Sequence, residues 1–257
     1  MKFGSLLTLS LCLVLLSSAV AWAQLAPSVV ADREVGLYKV QTLDGEKTLY
    51  NMHWVYERHT ENGGSHLLFT MKGDNDTQGA GRIEWDEEAK MAETATGLRT
   101  LYWKKTSRGA EQMDWHLDYD WNARVVRYSF KDRATGKSEK KEFQITDKTL
   151  PGDALYLLLR GFPFKEAPGY RLSGKVITGD SEVNGDIVHR GIETITTPLG
   201  TFKAYKLELK PKGVIGWLPT KLYMWFTMEA PHICLRFDGL EGLTRTKTVT
   251  YEFSPMP

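Results

Sequence analysis

The residues best placed to do chemistry stand together in Asp114-Trp-His-Leu-Asp-Tyr-Asp-Trp121. Carboxylates and an imidazole two residues apart share one face of a strand and can converge on a divalent cation. Asp114, His116 and Asp118 are therefore candidate metal ligands, with Asp120 extending the row. The spacing also has a plainer cause. Trp115, Leu117, Tyr119 and Trp121 alternate with the polar set, which is the pattern of a strand with one buried and one wet face. No second His-rich strand stands out, so the expected metal set is none, and the row reads as a solvated face.

Two further sites have equally plain readings. Asp74-Asn-Asp-Thr-Gln-Gly79 has the look of a calcium loop, but Trp85 stands where the bidentate Glu belongs and strands flank it, so it reads as a polar turn. His232 and Cys234 could share a strand face, with Ile233, Leu235 and Phe237 opposite. No third group is in sight to orient a base, so Cys234 reads as a small core residue. No Gly-x-Ser-x-Gly, His-Glu-x-x-His or phosphate-cradling Gly loop occurs. The expected catalytic set and the expected cofactor set are both none.

What remains is apolar surface in unusual places. In Lys210-Pro-Lys-Gly-Val-Ile-Gly-Trp-Leu-Pro219, Val214, Ile215, Trp217 and Leu218 fall in a Gly- and Pro-punctuated loop, where the chain should be exposed. The loop reads either as a lip at the mouth of a hollow or as a cover over the sheet end. In Thr149-Leu-Pro-Gly-Asp-Ala-Leu-Tyr-Leu-Leu-Leu-Arg-Gly161, Pro151 suits a first helical turn and Gly161 a stop. Leucines cover nearly every side of that helix, and a helix apolar all round is buried. Leu155, Leu158 and Leu159, with the loop residues and Trp225, make up the expected ligand-binding set. The remaining tryptophans read as core by default.

Elements able to position such sites are nearly all strands. Residues 1–23 read as a secretory signal: Lys2, an apolar run from Leu6 to Leu16, then Ala21-Trp22-Ala23 before cleavage at Gln24. Residues 24–33 read as a flexible lead-in and 34–257 as a single β-rich domain. Removing Lys2 leaves 33 − 1 = 32 Lys+Arg against 32 Asp+Glu, a balance with no pull toward nucleic acid. Cys234 is then the one remaining cysteine, so the fold must rest on its core in an oxidising compartment. Turns at Asp44-Gly45, Asn62-Gly63-Gly64, Asp132 to Gly136, Asn184-Gly185 and Thr197-Pro-Leu-Gly200 separate alternating runs. Leu222 to Met228, apolar on both faces, reads as a covered central strand. The expected fold is all-β: one large curved antiparallel sheet or half-open barrel of about ten strands, with one short helix against the concave face.

The segment from about Pro151 to Phe253 carries Asp153-Ala-Leu-Tyr-Leu-Leu-Leu-Arg160, Glu193-Thr-Ile-Thr-Thr-Pro-Leu-Gly-Thr-Phe-Lys-Ala204 and Leu222-Tyr-Met-Trp-Phe-Thr-Met-Glu-Ala-Pro231. On these residues it resembles bacterial exported proteins of the domain of unknown function 3108 family. There, a short helix ending in Arg precedes a Thr-Pro-x-Gly-x-Phe hairpin, and a Trp-bearing strand ends near a Pro. The chain departs from the pattern at Met228 and Glu229, where the family is more acidic and one or two residues longer. Val35 to Lys148 matches only in being strand-rich. The resemblance implies an envelope protein without an established activity or catalytic set. A looser similarity, of fold alone, links it to the half-open β-barrels of lipoprotein carriers.

Together these readings point to a periplasmic or secreted, non-catalytic binder of a lipid or an envelope protein. No transmembrane span remains after cleavage, and the oligomeric state is left open. The alternatives are an envelope hydrolase or metal-dependent enzyme using the acidic strand face, and a purely structural assembly protein.

Overall fold

The structure, a computed structural model, describes residues 25, 30–61, 63–75, 81–95, 97–212, 221–241 and 244–254. The signal region and residues 213–220 of the apolar loop, with Val214, Ile215, Trp217 and Leu218, lie outside the described residues. The described residues form fifteen strands, not about ten. They run β1 (Arg33–Thr42), β2 (Thr48–Glu61), β3 (Gly64–Asn75), β4 (Ile83–Thr94), β5 (Gly97–Gly109), β6 (Met113–Asp120), β7 (Val125–Asp132) and β8 (Ser138–Gln144). After these come β9 (Thr149–Pro151), β10 (Arg171–Thr178), β11 (Ser181–Thr197), β12 (Gly200–Pro211), β13 (Leu222–Thr227), β14 (Cys234–Glu241) and β15 (Thr244–Ser254). The count is higher because each short turn reverses the chain into a separate rung, and because the expected first turn of the helix is itself a strand.

All fifteen belong to one sheet in the order β8-β7-β6-β5-β4-β3-β2-β1-β15-β14-β13-β12-β11-β10-β9. Neighbours are antiparallel except β9 on β10, and β1 joins the two halves by pairing with both β2 and β15. The sheet is unclosed, with β8 and β9 at its edges. It nevertheless curls until the edge regions meet. Lys141 of β8 places Nζ 2.8 Å from Oδ2 of Asp180 in the β10–β11 turn, and Lys175 of β10 donates to the Gln144 carbonyl of β8 at 3.1 Å. Side chains thus clasp a seam that backbone hydrogen bonds leave open. Charges such as Lys140, Lys141, Glu139 and Glu142 also blunt β8 against pairing with another chain.

One expected turn is elsewhere. Asn184-Gly185 lies inside β11, opposite Lys175 and Gly174, and the hairpin turns instead at Gly179-Asp180, where Gly179 has φ +54°. Gly185 is used for close approach: a Cβ there would stand 2.8 Å from the Lys210 carbonyl oxygen.

The helix is present but shorter than expected. Thr149–Pro151 pairs with β10, then a 3-10 turn (Gly152–Ala154) leads into the single α-turn α1 (Leu155–Leu158), followed by a 3-10 turn (Leu159–Gly161). Pro151 is extended (ψ 121°) and sits at the sheet edge, where a missing N–H is tolerated. No side chain caps either end of α1, and one turn alone cannot sustain a helix in water. Packing holds it instead. Leu157 and Leu158 enter a core built by β1–β7 with Trp54, Leu67, Met91 and Leu117, whereas Leu159 enters a second core with Phe162, Leu207, Met224 and Phe226. The helix is thus a wedge between the two halves of the curled sheet. Burying each such leucine contributes about 1.5–3 kcal/mol.

Leu25 packs against both cores, and Val30 is buried with its carbonyl accepting from Arg58 Nη2 at 2.8 Å.

Candidate functional site

Inner-face positions of β10 to β13 form successive rows across the sheet. Leu172, Ile187, Leu209 and Leu222 are cross-strand partners in one row, and Val176 pairs with Val183 in another. Between them Gly174 pairs with Gly185, so no side chain rises from the floor. The helix region roofs this gap with Leu150, Gly152 and Leu155, and Phe237 and Leu240 close the β14 side. The result is an apolar hollow of about 340 Å³, at the lower end of the roughly 300–1,000 Å³ usual for small-molecule sites. Thr178, Asp186 and Lys210 also border it, the last two at strand positions alternate to the inward Ile187 and Leu209. Burial pushes the Asp186 carboxyl up, but hydrogen bonds from Lys212 and Ser173, with the charges of Lys212 and Arg171, outweigh it and hold the group below its ordinary value.

Leu155 lines the hollow. Leu158 and Leu159 do not reach it: they are 4% and 0% exposed, each spent in a core. Pro211 and Leu222, on either side of the apolar loop, both line the hollow. Trp225 is on the wrong face to join them. Met224 and Phe226 point inward, so Trp225 points outward, into a small cluster with Ile195, Ala204 and Leu235. Its indole donates to Glu193 Oε2 at 3.2 Å, and Lys206 and Arg236 each stand 5.0 Å from the ring centroid. β13 is thus covered on both faces, its outer side by neighbouring side chains and not by a second sheet.

The acidic row is placed as the alternation requires. Leu117 and Tyr119 are buried, while His116 and Asp118 are exposed. Asp114 pairs with Arg133 at 2.9 Å, Arg127 stands 3.7 Å from both Asp118 and Asp120, and His116 stacks on Tyr102. Among the described residues no three His, Cys, Asp or Glu side chains gather to hold a metal ion. In the acidic loop, Asp74 faces Arg82 at 3.6 Å and the Asn75 side chain bridges Gly81 and Ile83; residues 76–80 lie outside the described set.

His232 and Cys234 do not form a base and nucleophile. His232 precedes the strand with φ +55°, its Nδ1 2.9 Å from the Thr227 carbonyl and its ring on Phe164. Cys234 is 2% exposed in the inner core, and burial pushes its thiol well above the ordinary range. Contrary to expectation, Phe237 shares the inner face with Cys234. A bulge skips Leu235 between the Arg236–Trp225 and Cys234–Phe226 pairs, which resets the alternation.

The hollow's main lining, Val176, Val183, Ile187, Leu209 and Leu222, does not stand out in the sequence. Their alternation was visible, but apolar residues at inward positions look alike whether they fill a core or face a gap. The two glycines that keep the floor bare were the available signal, and Asn184-Gly185 imitated a turn.

A curled, unclosed antiparallel sheet wedged by one helical turn, with an apolar hollow beside it, defines a β-barrel-like class of protein. The chain belongs to the DUF3108 family, described as protein of unknown function, whose model matches residues 50–239. The match thus begins in β2, well before the half of the chain that carries the resemblance in sequence. Among solved structures it is similar to a β-barrel-like DUF1849 protein from Brucella abortus, at 12% identity and TM-score 0.51, covering 88% of this chain and 98% of that one. That likeness shows the fold. A Bacteroides fragilis protein assigned as exported, with a YmcC-like fold, is 9% identical at TM-score 0.38 (90% of this chain, 99% of that one). A Parabacteroides distasonis protein assigned as a lipoprotein is 12% identical at TM-score 0.33 (90% and 98%). Comparison with curated proteins finds no match.

Proposed function

We propose that the protein is an exported, non-catalytic binder whose hollow receives a lipid-like ligand in the cell envelope. The observation that carries this reading is the hollow itself. Apolar side chains from β10 to β14 and the helix region converge on open volume, and three polar residues stand at its margin. Apolar surface left facing a gap is unfavourable in water at about 25 cal/mol per Å², and an apolar ligand recovers that loss. Export is supported by the charge, apolar run and Ala-x-Ala of residues 1–23. Among the described residues no helix is long and apolar enough to cross a membrane. The ion pairing of the Asp114 row and the burial of Cys234 leave the enzymatic readings without a supporting geometry.

Native mass spectrometry of protein purified from its host tests the reading. The expected spectrum carries an excess mass that dissociates as a lipid. A ligand-free spectrum, together with no fluorescence response to added lipid probes, overturns it.

A further inference from the structure

The charged residues that border the hollow turn away from it. Asp186 and Lys210 are cross-strand partners, next in sequence to the inward Ile187 and Leu209, and successive side chains of a strand point to opposite faces. Each finds its counter-charge there: Lys212 stands 2.7 Å from Asp186, and Glu208 3.9 Å from Lys210. With those two set aside, Thr178 is the one polar residue of the lining. An ion drawn into this space would lose its water and gain no partner, which is costly. Hydrocarbon gains by the same move. The lining draws on every strand from β9 to β14, so the hollow runs across the strands. From β10 to β13 are three spacings of about 4.8 Å, a length of about 14 Å.

Resting on the reading above, we propose that the hollow takes one hydrocarbon chain of a single-chain amphiphile, selects it by length, and is indifferent to its head group. The chain lies on the Gly174–Gly185 floor under Leu155, and the head group stays in solvent. Volume sets the length. At about 30 Å³ per small group, similar to a water molecule in the liquid, about 340 Å³ holds roughly a dozen methylenes. Each enclosed methylene raises affinity about fourfold. A second chain, or the remainder of a longer one, is left in water and adds nothing.

The test titrates delipidated, full-length mature protein with octanoate, decanoate, dodecanoate and hexadecanoate below their micelle-forming concentrations, and with dodecanol and dodecyltrimethylammonium. Affinity should rise about fourfold per methylene as far as dodecanoate and be no higher for hexadecanoate. Dodecanoate, dodecanol and dodecyltrimethylammonium should agree within about threefold at physiological salt, because a charge left in solvent is screened. Val183→Phe, which narrows the hollow, should move the plateau to a shorter chain, and Leu155→Ala, which widens it, to a longer one. If one of these variants unfolds, the other still decides. A plateau that neither variant moves would place the chain elsewhere. A tenfold preference among the three head groups would overturn the head-group assignment, and an unbroken rise to hexadecanoate the length limit, each leaving an apolar binding site standing. Failure of every compound to bind would sink the proposed function as well.

Discussion

Arg160 and Glu34 meet 2.7 Å apart, Nη1 to Oε2, with both side chains 1% exposed. The guanidinium also lies 5.8 and 5.7 Å from the Tyr56 and Phe253 ring centroids, and Glu34 Oε1 accepts from the Ala31 amide at 2.9 Å. The pair ties the end of the helix region to the strand where the two halves of the sheet join. Charges so deep are expensive to bury, and removing one partner strands the other. Glu34→Gln or Arg160→Met should each destabilise the fold by about 3–5 kcal/mol. The double variant Glu34→Leu/Arg160→Met should cost far less than the two single changes added. Urea unfolding of the wild type and the three variants measures the coupling, and additive losses would show that the two residues are not energetically coupled.

The seam is a second place where ion pairing does what backbone pairing does not. A hydrogen bond from Lys141 holds the Asp180 carboxyl below its ordinary value, and Asp180 in turn raises the Lys141 ammonium. Asp180's folded pKa lies below the unfolded value of about 3.9, so its contribution is complete above that pH and is lost as pH falls through the lowered value. Lys141's lies above about 10.4, so its contribution is lost only as pH rises through the raised value. Between those limits the clasp is closed. Lys141→Glu should speed amide exchange in β8 and β10 at neutral pH and leave β2 and β3 unchanged, as read by hydrogen–deuterium exchange. Unaltered exchange in β8 would mean the seam needs no clasp.

Cys234 offers a simple chemical readout. With the thiol 2% exposed and pushed upward by burial, little reactive thiolate exists near neutral pH. Native protein should resist iodoacetamide at pH 8 for hours, and the same protein in denaturant should be alkylated within minutes. Rapid alkylation of the folded protein would contradict the packing described.

Two tryptophans lie across glycines of the neighbouring strand. Gly36 pairs with Trp54, and Gly73 with Trp85. A Cβ on Gly36 would stand 2.4 Å from the Trp54 ring and 2.7 Å from the Glu252 carbonyl oxygen. Gly36→Ala should therefore destabilise by at least about 1–3 kcal/mol and shift the tryptophan emission of the native state. Gly63→Ala is a different case, because a Cβ there meets nothing within 4 Å but the residue has φ +77°. Its loss should be smaller and leave emission unchanged. Thermal melts followed by fluorescence separate the two mechanisms.

Much of the secondary structure could be read from the chain itself, for a physical reason: alternation along a strand and the turn preferences of glycine and asparagine are local. Asp114 to Trp121 shows this directly, since one wet face and one buried face required no knowledge of neighbours. The all-round apolar Leu155 to Leu159 likewise announced burial. What the chain could not reveal by itself was where distant surfaces meet. Glu34 and Arg160 are 126 residues apart in sequence, and nothing near either residue signals the other. Gly185 read as a turn because its neighbours could not disclose that Gly174 would lie opposite. Trp225 and Leu158 looked available to a ligand until the curl of the sheet decided which face was inside and which positions were filled. Local sterics wrote the strands. The curling of a fifteen-stranded sheet around one helical turn, a matter of long-range packing, decided where space was left empty.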